Sequence, residues 1–298
     1  MTTESPLSKD VFALSEHNNC SGALVYWSLS SGTNGPALID ALEGQGLRAA
    51  DGPKLPAPAR CLTRAAKAIA QEQRGSIHRH NGVLWCVDSE ALEVDGAPVY
   101  RASWGVKLGE IGMPEWYPGH RGEASDATRE NLRDRYMSLL DGELSTGDVS
   151  SWLLDTTERM FGLMLRRTGG IYFIPHSTLD DFTKRVQALH SVSACKVYMI
   201  PAMHASMGVA ALVDALAAEV AELADRTFAE LDSGDLGARA IETRTRRAEA
   251  LLGKVEHFEK LLDTSLDELT ERAKKLAAAS TAAHIAAMSK ADAGISPT

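Results

Sequence analysis

The chain has 298 residues, 44% of them hydrophobic and 24% charged, with 31 Lys+Arg against 40 Asp+Glu and a formal charge of −9. That balance supports a sizeable core and a prior of two domains, and excludes a mainly disordered chain, a collagen-like repeat and a small disulfide scaffold. It also excludes a globally basic nucleic-acid binder, because phosphate binding needs clustered Lys and Arg; only locally basic faces remain open to that chemistry.

The opening MTTESPLSKDVFALSEH has no basic stretch followed by an apolar one and does not read as a secretory signal. The most apolar helical stretch, Val209 to Leu223, is interrupted by Asp214, Glu219 and Glu222, so no membrane span is expected. Cys20, Cys61, Cys86 and Cys195 are scattered without metal-finger spacing. A reduced, cytoplasmic protein is the expectation, with no cofactor or metal assigned.

Ala23 to Leu29 reads as a buried strand, and Pro36 opens a short helix that ends near Gly44 or Gly46. Pro56 and Pro58 stiffen a connector into a helix running to about Glu72. Asn81-Gly82 is the preferred pair for a two-residue type I′ turn, which predicts a hairpin of residues 76–80 and 83–88. A second turn at Asp95-Gly96 extends this into a three-stranded antiparallel meander. Residues 109–125, rich in Gly and Pro, read as a loop or domain junction.

Asp126 is expected to cap a helix to about Leu140. Asp148 or Ser150 would cap another that ends at Arg166-Arg167, before Gly169-Gly170. Strand 171–175, helix 179–190 and strand 195–201 follow at the spacing of a right-handed βαβ unit with parallel neighbouring strands.

After Pro201 the composition turns to Ala, Leu, Glu, Lys and Arg, which predicts an α/β platform over 1–205 and a helical bundle or coiled-coil-like tail over 206–298. The fold class is therefore α+β, a mixed sheet with a βαβ unit and a meander, followed by an all-α hairpin or three-helix tail. In the tail, Ile241, Ala248, Val255, Leu262, Leu269, Leu276 and Ala283 recur every seven residues, a seam for association. Ser265 and Glu268 match a capping box, so helices over 207–231, 238–262 and 266–289 are preferred to one long second helix.

Three clusters are candidate sites. His176 and His204 each follow a Tyr-x-Ile-Pro strand end, with Asp180 a turn away; at one sheet edge they would suit acid/base work or a divalent metal, and otherwise are plain loop histidines. The Ser30 to Gly35 loop offers backbone N–H groups to an anion or is a plain capped loop. The helix and hairpin of residues 58–107, with Arg64, Arg74, Arg79, Arg101 and Lys107, have the order of a helix and wing and would contact nucleic acid, or else form a solvated face; His78 and His80 share one side of the strand.

The block Leu165-Arg-Arg-Thr-Gly-Gly-Ile-Tyr-Phe-Ile-Pro175, with the earlier Val25-Tyr-Trp-Ser-Leu29 strand and the helical tail, resembles a family of bacterial and phage proteins of unknown function. The resemblance implies one evolved unit over most of the chain and carries over no catalytic residue. The functional expectation is a non-enzymatic interaction protein that self-associates or binds a protein partner through its tail. Nucleic-acid binding and a metal-dependent enzyme using His176 and His204 are the alternatives.

Overall fold

A computed structural model describes residues 20–88, 92–94, 97–99, 101–120, 122–166, 170–203, 206–233 and 236–293. It is a mixed α+β protein, and its contacts divide it into two compact units. Of the described residues, one takes in Cys20–Ser28, Leu153–Gln187 and those from Cys195 to Ala293; the other takes in those of Leu29–Trp152 and Ala188–Ala194. Composition changes near residue 205, where the long helices begin, but the division by contacts groups those helices with earlier strands.

In the first unit, β1 (Cys20–Ser28) lies between β11 (Tyr172–Pro175) and β12 (Lys196–Met203), antiparallel to both, and β10 (Leu163–Met164) pairs with β11. The expected neighbouring parallel pair is corrected here. β11 and β12 run the same way, joined through α5 (His176–Val192), but β1 separates them. Ala23 and Val25 of β1 are fully buried, and a strand with so little polar character is stabilised best in the sheet interior, hydrogen-bonded along both edges.

Three helices follow: α6 (Ser206–Ser233), α7 (Ala238–Leu262) and α8 (Asp267–Ala293). Their bounds match the three-helix expectation. The break after α7 is made by Asp263, which takes a left-handed conformation (φ 47°) and donates its N–H to the Glu259 carbonyl. Ser265 donates to Asp267, and the Leu266 N–H goes to Glu259 Oε1, so the capping groups differ from the predicted box. Leu216 and Val220 of α6, Val255 and Phe258 of α7 and Leu276 of α8 share one core with Leu163 and Phe173 of the sheet. No helix among the described residues is long and apolar enough to cross a membrane.

The second unit is built on a meander: β3 (Gly75–His80), β4 (Val83–Asp88), β7 (Ala102–Leu108) and β8 (Pro114–Pro118), in that order across the sheet. Asn81 and Gly82 both have positive φ (50° and 79°), as a type I′ turn requires, and the hairpin register His80↔Val83 follows. The Asp95-Gly96 turn lies outside the described residues; beside it β5 (Leu92–Val94) pairs with β6 (Ala97–Val99). Residues 109–125 are not simply a loop, because β8 forms within them. Its prolines stand at the strand's ends and on a sheet edge, where a missing N–H breaks no ladder, and Trp116 packs edge-on to Trp104.

One face of this sheet is covered by α2 (Pro58–Glu72) and α3 (Asp126–Leu140), with Cys61, Leu62, Cys86, Trp104, Val106 and Tyr136 in the core between them. Ser125 rather than Asp126 caps α3, accepting from the Thr128 N–H. The next helix, α4 (Thr146–Arg159), starts at a reciprocal cap: Asp148 N–H donates to Ser145 Oγ, and Ser145 N–H to Asp148 Oδ2. It stops well before Arg166-Arg167, because Phe161 turns left-handed (φ 57°) and Gly162 closes on Thr157. A Cβ at Gly162 would stand 2.3 Å from Thr157 Cγ2, so only glycine fits. The chain so released forms β10; Arg167 and Gly169 lie outside the described residues.

Candidate functional site

The predicted histidine site is only partly described. His176 is the first residue of α5, and Asp180 is held by Lys184 at 2.6 Å, an exposed pair one turn apart. His204 lies outside the described residues. Among the described residues no group of three His, Cys, Asp or Glu side chains is placed to hold a metal. Beside His176, Ser177 Oγ is 3.2 Å from His257 Nε2, a contact that sequence reasoning missed. His257 stacks on Phe161 at 4.5 Å, and burial, with the Lys260 charge behind it, pushes its pKa below the usual histidine value. Among the described residues no carboxylate hydrogen-bonds this imidazole, so the pair lacks the third group of a hydrolytic triad.

The Ser30 to Gly35 loop ends at an ordinary cap: Asn34 Oδ1 accepts from the Ala37 N–H at the start of α1 (Gly35–Gly44). The basic set of residues 58–107 is not brought to one surface. Arg64 is engaged bidentately by Asp148, at 2.6 and 2.5 Å, and Arg79 donates to Thr63 on α2. Lys107, on the opposite sheet face by strand alternation, pairs with Glu115 and lies over the Tyr117 ring. Arg74 sits in a left-handed position (φ 60°) after α2, and Arg101 is exposed before β7. His78 and His80 are both exposed, alternating with Arg79.

The heptad seam points inward. Val255, Leu262 and Leu276 are buried and Leu269 is partly buried in the core shared by the helices of this chain, and Ile241 is buried as well. The seven-residue period holds, and its apolar side is taken up by this chain's own core.

Large apolar side chains are exposed on the sheet, and on α8 at Ile285 and Met288. β12 is an edge strand, with β1 on one side and, among the described residues, no strand on the other. Tyr26 stands opposite Tyr198 across β1 and β12, their rings stacked at 4.8 Å, and Leu24 stands opposite Ile200. Tyr26 is 38% exposed, Tyr198 37% and Ile200 51%. By alternation this is the face that also carries Phe173, which the helices cover; their cover stops short of the Tyr26, Tyr198 and Ile200 side chains.

A cavity of about 620 Å³ opens in the same unit, between the end of α4, β10 and helices α6 and α7. Leu154, Met164, Leu165, Leu223 and Leu251 form its apolar walls. At its polar end Lys254, nearly buried, donates to the Gly162 carbonyl at 2.9 Å and to Glu219 Oε1 at 2.6 Å. Burying an ammonium is costly unless it is paired and hydrogen-bonded, and both conditions are met. Thr157 also lines the cavity; it is 2% exposed, and its Oγ1 has no hydrogen-bond partner. Burial, reinforced by the Glu158 charge, pushes the Tyr172 hydroxyl's pKa up, so Tyr172 stays neutral at the cavity wall. A signal for Lys254 was present in the sequence: it falls within the stripe Leu251, Val255, Phe258, at helical spacing where an apolar residue is expected.

No curated protein and no solved structure matched the chain in comparisons with known proteins. A family of unknown function, DUF6744, matched residues 122–290, from the start of α3 nearly to the end of α8. That span is more than half of the sequence, and the chain belongs to this family.

Proposed function

We propose that this is a cytoplasmic, non-enzymatic interaction protein of bacterial or phage origin that self-associates through the open edge and face of β12. The observation that carries the reading is the exposed surface of Tyr198 and Ile200 on the edge strand, with Tyr26 beside them on β1. Two copies related by a two-fold axis would pair β12 with β12 antiparallel, an isologous contact in which the same patch serves both partners. Centred on Tyr198, that pairing sets the two tyrosines side by side, extends the Tyr26–Tyr198 stack across the axis and places Lys196 opposite Ile200, so the two lysines do not face each other. Pro201 is tolerated on such an edge because a missing N–H there costs few ladder bonds. The four cysteines form no disulfide, and three of them are buried, which accords with a reducing compartment.

Light scattering on the full chain over a range of concentrations tests the reading. The expected result is a dimer that Ile200→Lys and Tyr198→Lys convert to a monomer with unchanged circular dichroism. A monomer at every concentration, or a dimer indifferent to both substitutions, overturns it.

A further inference from the structure

The cavity beside Lys254 is independent of the β12 surface, and it has the size of a small-molecule site. Its polar end holds two hydrogen-bond donors with capacity to spare. An ammonium has three N–H groups; Lys254 spends one on Gly162 and one on Glu219. Thr157 adds a buried hydroxyl that bonds nothing, a costly state that a ligand atom would relieve. Gly162 links the two: its carbonyl accepts from Lys254, and its N–H donates to the Thr157 carbonyl at 2.7 Å.

Charge decides the class of ligand. The charged side chains of the lining are Glu158, Glu219 and Glu222 against Arg226, Arg247 and Lys254, and they balance. Glu219 is already paired with Lys254 at the polar end, so beside Lys254 an anionic head would compete with Glu219 and a cationic one would meet the ammonium. We propose that the cavity binds an uncharged amphipath: an aliphatic or aromatic body against Leu154, Leu165 and Leu251, and a carbonyl oxygen accepting from Lys254 and Thr157.

Isothermal titration calorimetry of the full chain with decanamide, decanoate and decylamine tests this, since the three share a body and differ in head charge. Decanamide is expected to bind one per chain, about tenfold or more tighter than either charged homologue. Thr157→Val keeps the shape and removes the hydroxyl; it should weaken decanamide about fivefold while leaving the melting temperature unchanged or raised. Ala218→Phe, which fills the cavity, should abolish binding in protein with unaltered circular dichroism. Saturable binding by none of the three, equal or tighter binding of a charged homologue, or unchanged affinity in both variants overturns the proposal.

Discussion

The two four-stranded sheets reach the same size by opposite routes. The meander uses a single stretch of chain, from Gly75 to Pro118, and each strand pairs with one close to it in sequence. The β10-β11-β1-β12 sheet draws its central strand from residues 20–28 and the others from beyond residue 162. In the first, turn chemistry sets the register; in the second, the shared helical core must do so, because loop closure costs chain entropy before any contact offsets it. The family match cuts across this divide, because it takes in α3 of the meander unit and leaves out β1 of the other. Residues 122–290 include β10, β11 and β12 but neither β1 nor any strand of the meander.

The contrast is broken most severely at Phe258, fully buried and 6.0 Å from the Phe173 ring. Phe258→Ala should cost about 3–5 kcal/mol in denaturant unfolding. In hydrogen exchange, β1 and β11 should lose protection before β3 and β4; equal loss in both sheets would erase the distinction drawn here.

The corresponding cut in the meander unit is Arg64→Ala, which strips Asp148 of a bidentate partner while both side chains are mostly buried. About 2 kcal/mol is expected, less than a fully buried pair would lose because some solvent reaches both groups. Replacing both partners, Arg64→Leu with Asp148→Asn, should recover most of it. A smaller effect, about 1 kcal/mol, is expected for Gly82→Ala at the hairpin turn, where φ is 79°. Chemical denaturation checks each value.

Acidification separates the two units with the smallest perturbation. The His257 pKa is depressed by burial, so its contribution is complete above the ordinary value of 6.5 and shrinks as pH falls below it. Burial alone would raise the Asp148 pKa, but the Arg64 and Ser145 hydrogen bonds outweigh it and hold the group below 3.8. Its contribution is therefore intact at pH 5 and disappears only as pH drops through the depressed value. Between pH 7 and pH 5 the wild type should lose stability that His257→Gln does not, while Asp148→Asn should leave that difference unchanged. Denaturation midpoints at the two pH values are the measurement.

Much of the architecture was legible wherever a local rule operates. Asn81-Gly82 set the hairpin, Pro36 and Pro58 opened helices, and the seven-residue period located α7 and α8. What escaped were choices made by distant partners. Nothing near β1 says that it enters between β11 and β12, and nothing near Ile241 or Val255 says whether the seam faces a partner or this chain's own α6 and sheet. The β8 strand was hidden by its prolines, which punctuate loops and edge strands alike. The candidate surfaces fared worse than the fold. Arg64 was singled out for its charge, but that charge is spent on Asp148, across 84 residues of sequence. Tyr26 lies in a stretch whose apolar content reads as a buried strand, and nothing local marks Lys254 beyond its place in an apolar stripe.

The central place of β1 also orders events during synthesis. Cys20–Ser28 leaves the ribosome before any strand it will pair with, and both its neighbours are complete only once Met203 has been made. The meander, contained in Gly75–Pro118, can close in the interval. An apolar segment therefore waits with two open edges until residues 172–203 have been made, and an unpaired edge of that kind is what exposes a chain to aggregation.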